Sequence, residues 1–285
     1  MKRRHFHCLS LGLAAGALPA RAQTTRLVSV GSALTEIVYA LGAEKMLVGV
    51  DTTSLYPDEA RRLPQVGYMR ALSAEGVLSL KPTLVIATTA AGPATTLEQL
   101  KATGIEVLIL PDHYDYDSVV AKIETVGTLT GKSAEAQALI AQGRADMASL
   151  ASKLAAVPAR PRVLFLLSMG GGAPQAAGAN TAADGIIKLA GGSNAIDGYN
   201  GYRPLTPEAV IASRADFVLV TRQTVEAMGG IDKILAQPAL GQTPAGKAGR
   251  VLQFDTLLLL GFGPRTPQAA TQLAAALHPD LARAK

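Results

Sequence analysis

Apolar and polar positions fall along this chain in short, alternating blocks. "RLVSVG" from Arg26 is an apolar run that predicts a buried strand, and "SALTEIVYALGA" follows it with helical spacing, Ser32 standing at the expected N-cap. "MLVGV" predicts a second short strand. "SAEGVLSLKP" predicts a helix stopped by Pro82, and "TLVIATT" a β-branched strand. "LEQLKATG" and "IEVLILP" give a further helix and strand. Strand and helix taking turns in this way is the pattern of a parallel sheet with helices on its faces.

The texture then changes. From Ser133 to Val157 the chain is alanine-rich, free of proline and interrupted by a single glycine, Gly143, which predicts one long helix ended by Pro158 and Pro161. "RVLFLLS" starts a new strand and the alternation resumes through "TAADGIIKLAGG", "TPEAVIASR", "ADFVLVT", "GGIDKILAQ", "GRVLQFD" and a last helix over "TPQAATQLAAALHP". The expected architecture is α/β: an N-terminal lobe over 23–132, a linking helix over 133–157 and a C-terminal lobe over 158–285.

The first 22 residues are set apart from that plan. "MKRRHFHCLSLGLAAGALPARA" has a basic start, an apolar stretch and an Ala-x-Ala ending, the layout of a secretory signal peptide cleaved before Gln23. The apolar run is too short for a membrane anchor. Arg3-Arg4 gives a weak twin-arginine signal, so the export route stays open, and Cys8 precedes the apolar run instead of sitting at the cleavage site. Removal takes four basic residues (Lys2, Arg3, Arg4, Arg21) and no acid, so the net charge of +5 falls to 5 − 4 = +1. A nucleic-acid partner thereby loses its main support. The exported chain keeps no cysteine and two histidines, His113 and His278, which leaves no disulfide framework and nearly excludes a zinc site.

One phrase occurs twice. "GYMRALSAE" ends at Glu75 and "GYRPLTPE" at Glu208, and each glutamate stands nine residues before an apolar strand. Ser73-Ala74-Glu75 and Thr206-Pro207-Glu208 both read as a hydroxyl N-cap followed by N1 and an acid at N2. A first-turn acid interacts favourably with the helix dipole, and that alone accounts for each glutamate locally. The duplication places both in one structural slot of two related lobes.

Catalytic motifs do not survive inspection. "GTLTGKS" has three residues between its glycines where a phosphate loop has four, and it follows a helix. "SMGGGAPQAAG" lacks a G-x-S-x-G elbow, and two histidines leave little choice of general base. An exported hydrolase is therefore the weaker reading, and the protein is not expected to be an enzyme.

Signal, lobe, long helix, lobe and paired glutamates together resemble the helical-backbone (class III) periplasmic binding proteins of ABC importers, which carry vitamin B12, iron siderophores or haem. "VGYMRALSAEGVLSLKP", "TLVIATT", "GGGAPQAAGANTAADGII", "GYRPLTPEA" and "GFGPR" are similar to the haem-binding members. The resemblance spans essentially the whole exported chain, and "GYMRALSAEG" is its most specific part.

It implies two Rossmann-like lobes with mainly parallel sheets joined by one long helix, in a monomeric periplasmic protein. That protein would hand haem to a permease dimer and its ATPase subunits in the inner membrane. Tyr68 matches the axial ligand of the haem iron, Arg70 the cation beside that phenolate, and Arg222 a second-lobe arginine facing the ligand. Met69, Met169, Tyr202 and Arg203 are further haem-contacting candidates. Glu75 and Glu208 match the acids that dock on arginines of the two permease subunits. The chemistry is compatible: a hard phenolate suits ferric iron, and a tyrosine that keeps its proton to about pH 10 needs a metal and a nearby cation to ionise at neutral pH. On residue type alone a tyrosine such as Tyr68 is more often a buried aromatic with a satisfied hydroxyl, and it is the match of the whole phrase that reverses this; "GYRPLT" is equally a turn. No cleft histidine is evident for a second iron, so one or two haems remain open, as does cobalamin or a ferric siderophore as the cargo.

Overall fold

The computed structural model describes residues 25–157, 159–168 and 174–282; the expected signal segment and Met169 lie outside them. The first lobe opens with β1 (Leu27–Val30), α1 (Ser32–Ala40) and β2 (Leu47–Val50). A small hairpin, β3 (Gly67–Tyr68) and β4 (Ala71–Leu72), leads into α2 (Ala74–Ser79). Then come β5 (Leu84–Thr88), α3 (Ala94–Ala102), β6 (Glu106–Leu110) and α4 (Tyr116–Leu129). The four long strands form one all-parallel sheet in the order β2-β1-β5-β6. Both faces are covered, which is why β1 and β5 are apolar and buried at every position.

The linking helix is α5 (Ser133–Ala155), 23 residues or about 34 Å of rise. Its buried positions, Ala136, Ile140, Gly143 and Leu150, recur at helical spacing on one face. Gly143 looked in the sequence like a weak point of this helix. In the fold it is a notch: a Cβ there would run into the Tyr116 hydroxyl from the start of α4, with Pro267 close behind. The "GTLTGKS" stretch is the tight turn between α4 and α5, with Gly131 at φ 69°.

The second lobe contains β7 (Arg162–Leu167), β8 (Gln175–Ala177), α6 (Ala182–Leu189), β9 (Ser193–Asn194) and β10 (Tyr202–Pro204). It continues through α7 (Pro207–Ser213), β11 (Phe217–Thr221), α8 (Arg222–Ala227), α9 (Ile231–Leu235), α10 (Pro244–Lys247) and β12 (Val251–Phe254). Two helices, α11 (Thr256–Leu260) and α12 (Thr266–Leu277), close the fold. Its sheet runs β10-β8-β7-β11-β12; β7, β11 and β12 are parallel, while β8 and β10 are antiparallel. The mainly parallel, two-lobe α/β architecture matches the sequence pattern. The antiparallel pair did not show there, because three-residue strands are too short to display an alternation.

Each lobe keeps an apolar cluster of its own, but the largest cluster is shared. It runs from Leu34 and Ile37 of α1 through Ile123 of α4 and Ile140 of α5 to Phe165, Ile186 and Leu273 of the second lobe. Beside it the Glu36 carboxylate accepts from Arg265 Nε at 3.0 Å and from its terminal nitrogen at 2.8 Å, and also from the Arg265 backbone N–H at 3.3 Å. The guanidinium lies 3.5 Å from the Tyr56 ring centroid. Gly263 sits against the Ala33 backbone, its site for a Cβ 3.5 Å from the Ala33 Cα. The pair is nearly enclosed, its side chains 22% and 11% exposed. Breaking one partner of such a pair leaves a poorly solvated charge, so Glu36→Gln is expected to lower the unfolding free energy by about 3 kcal/mol in urea titrations. A loss within experimental scatter would mean that the shared core alone holds the lobes.

Candidate functional site

The β3–β4 hairpin presents the first group. Its two residue pairs, Gly67 with Leu72 and Tyr68 with Ala71, leave Met69 and Arg70 as the turn. Gly67 has φ 100°, which favours glycine. Main-chain bonds anchor the hairpin on both sides: the Gly92 N–H donates to the Met69 carbonyl at 2.8 Å, the Leu72 N–H to the Gly92 carbonyl at 2.9 Å, and the Thr52 N–H to the Gly67 carbonyl at 2.9 Å. On this fixed turn the Tyr68 ring is 41% exposed. Its hydroxyl receives a hydrogen bond from the Arg70 guanidinium at 2.7 Å. A cation is therefore held against a phenol oxygen that is open to an incoming ligand.

Behind the hairpin lies a cleft of about 460 Å³ between the lobes, within the range of small-molecule sites. Met69 and Arg70 form one rim, Gly31 and Thr88 the first-lobe wall, and Tyr202 and Phe262 the second-lobe wall. The first-lobe wall is the carboxyl end of the sheet where its order reverses between β1 and β5, the usual ligand position in open α/β sheets. Phe262 meets Tyr114 edge-on across the lobes, centroids 5.5 Å apart. A second, more polar hollow of about 340 Å³ adjoins, sharing Asp112 and Tyr114. Asp112 is paired there with the buried Lys122 at 2.8 Å.

Alternation along β10 separates two of the expected residues. Tyr202 points to the cleft, its ring 6.4 Å from that of Phe165. Arg203 is exposed on the other side and lies over the Tyr199 ring at 4.7 Å. Burial pushes the Tyr202 phenol up to about 12, with Tyr114 adding to the rise and Thr181, the Ala183 backbone and Arg70 opposing it. At neutral pH Tyr202 is a hydroxyl donor in the cleft wall, not a charged ligand. Arg222 opens α8 at the end of β11; it is exposed, away from the cleft wall, and has no hydrogen-bond or ionic partner among the described residues. Met169 lies outside the described residues, and His278 is buried at the end of α12 against Gly191.

The repeated phrase builds the same local structure twice. Ser73 Oγ accepts from the Gly76 N–H at 3.2 Å and Thr206 Oγ1 from the Ala209 N–H at 3.3 Å, placing Glu75 and Glu208 in the first turns of α2 and α7. Both carboxylates are exposed and neither meets a partner among the described residues. The sequence did not single out Gly31, Thr88, Tyr114 or Phe262. Ser32, expected as the N-cap of α1, is its first helical residue, and Gly31 (φ 118°) is the cap, with no side-chain bond closing the helix.

Comparison with known proteins gives a consistent picture. The chain is 29% identical over 258 residues to the uncharacterized ABC transporter substrate-binding lipoprotein YvrC of Bacillus subtilis, covering 90% of this chain and 80% of that one. A cobalamin-binding protein of Halobacterium salinarum is 30% identical, with 89% and 69% covered. Among solved structures, the periplasmic heme-binding protein BhuT in complex with two hemes is 45% identical at a TM-score of 0.85, covering 90% of this chain and 98% of that one. The apo form of the periplasmic heme-binding protein RhuT from Roseiflexus sp. RS-1 is 42% identical at 0.86, with 91% and 100% covered. The periplasmic heme-binding protein HutB of Vibrio cholerae is 37% identical at 0.81, with 90% and 100% covered. A periplasmic binding protein family model matches residues 27–256, and the chain belongs to that family.

Proposed function

We propose that this protein captures haem in the interlobe cleft outside the inner membrane and delivers it to an ABC-type permease. The observation that carries the reading is the Tyr68–Arg70 pair, a phenol held at 2.7 Å from a guanidinium on an anchored hairpin at the cleft rim. Tyr68 supplies a phenolate to ferric iron, and Arg70 compensates the charge as the proton leaves. Met69 and Tyr202 contact the porphyrin from the two walls. Arg222, at the start of α8, Arg203, on β10, and Met169 are assigned to the haem edge. The similarity to BhuT, RhuT and HutB favours haem over the cobalamin named for the Halobacterium relative.

Hemin and cobalamin titrations separate the two cargoes. The purified protein is expected to shift the Soret band of hemin at stoichiometric concentration and to leave the cobalamin spectrum and a cobalamin equilibrium dialysis unchanged. Binding of cobalamin without hemin would replace haem with a corrinoid as the ligand.

Export by the N-terminal segment fits a family of periplasmic binding proteins. Docking is assigned to Glu75 and Glu208, whose exposed first-turn carboxylates are free to meet arginines, one on each subunit of a permease dimer. The double variant Glu75→Ala, Glu208→Ala is expected to bind hemin as wild type does and to fail in transport with the reconstituted permease and its ATPase. Normal transport by that variant would reduce both glutamates to helix-start residues, each contributing roughly 0.3–1 kcal/mol to stability.

A further inference from the structure

The first-lobe wall of the cleft contains donors that the protein itself does not use. Helix α1 starts at the carboxyl end of β1, and its cap Gly31 has no side chain to close it. No acidic residue stands in its first turn. Gly31 N–H donates to Asp51 at 2.8 Å, and Leu34 and Thr35 N–H donate back to the Gly31 carbonyl. The N–H groups of Ser32 and Ala33 have no acceptor among the described residues, and both residues line the cleft. Beside them, one strand over at the point where the sheet order reverses, stands Thr88.

Thr88 is 4% exposed, and its hydroxyl has no hydrogen-bond partner among the described residues. A buried hydroxyl left unpaired is costly. The same side chain lines the cleft next to the open helix start. Glycine is also what lets Thr88 come this close to the helix start: a Cβ on residue 31 would approach the Thr88 methyl to 2.9 Å, at a φ of 118° that other residues rarely adopt. A free helix start and a buried orphan hydroxyl, brought together by the glycine between them, converge on one spot.

We propose that this spot is a carboxylate seat, taking one carboxylate arm of the cargo on the Ser32 and Ala33 N–H groups and the Thr88 hydroxyl. The proposal rests on the haem reading above, under which the arm is a propionate. Two hydrogen bonds from the helix start and the positive end of its dipole favour an anion, and a hydroxyl bond completes its coordination. Arg70, which lines the same cleft, adds positive potential. The nearby acids are already engaged. Asp51 accepts from Gly31 N–H, Ser54 Oγ, Thr53 N–H and Thr53 Oγ1; Asp112 is paired with Lys122, and Glu36 with Arg265.

Hemin and hemin dimethyl ester, titrated into the purified protein, into Thr88→Val and into Ser32→Pro, test the seat. Valine keeps the shape of Thr88 without the hydroxyl, and proline is favoured at a first helical position while removing its N–H. The wild-type protein is expected to prefer the free acid by roughly tenfold or more, as a charge-assisted set of bonds implies. Each variant should narrow that preference to a few-fold while binding the ester as wild type does. The Soret position should stay unchanged because Tyr68 is intact, and apo Thr88→Val should be at least as stable as wild type, since it sheds an unpaired group. Equal wild-type affinity for acid and ester, or an equal loss for both ligands in the variants, overturns the seat and leaves haem capture standing. No Soret response to hemin in the wild-type protein overturns both.

Discussion

The ion pair between Glu36 and Arg265, with the apolar core that surrounds it, fixes where the two sheets stand relative to one another. The cleft has no floor of its own; it is the space left between the carboxyl ends of two sheets, so its width is set by whatever holds those sheets apart. One long helix crosses between the lobes, and its only interior glycine is filled by Tyr116. Helix α12 then packs back on α5 and α6. Hinge motion concentrates in a few residues able to absorb large dihedral changes, and none is free to do so along α5. The binding site is thus largely built before any cargo arrives.

Pre-building has a chemical use. A phenol becomes a good iron ligand at neutral pH only if its charge is compensated as the proton leaves. Arg70 already donates to Tyr68, and the hairpin that carries both is held by main-chain bonds to the loops after β2 and β5. Little ordering is left to be done on binding, which lowers the entropic cost of association. The opposite wall behaves differently. Tyr202, kept neutral by burial, and Phe262 offer apolar surface and a hydroxyl, suited to a flat macrocycle and not to a second charge.

Much of this was legible in the sequence, for identifiable reasons. Strands buried on both faces read as unbroken apolar runs, so β1, β5, β7 and β11 stood out, and the proline-free stretch before Pro158 marked α5. Hydroxyl caps and the acids after them revealed α2 and α7 because capping is local chemistry. The cleft walls were not legible, since they are made by contacts between residues far apart in the chain. Thr88 matters only because Gly31, 57 positions earlier, sets the open start of α1 against it, and Arg265 only because Glu36 is opposite. "GFGPR" could be matched to relatives yet not explained; in the fold it supplies the cleft aromatic Phe262, the close approach at Gly263 and the arginine of the clasp. Alternation along β10 likewise decided between Tyr202 and Arg203 only once its pairing with β8 was known.

The central claim is that Tyr68 binds the iron of a haem lodged between two fixed lobes. Resonance Raman spectroscopy of the ferric complex, excited in the phenolate-to-iron charge-transfer band, tests it most directly. Phenolate modes of a five-coordinate, high-spin haem are expected in the wild-type protein, and their disappearance in Tyr68→Phe. Phenolate modes that persist in Tyr68→Phe, or a wild-type spectrum without them, would contradict it.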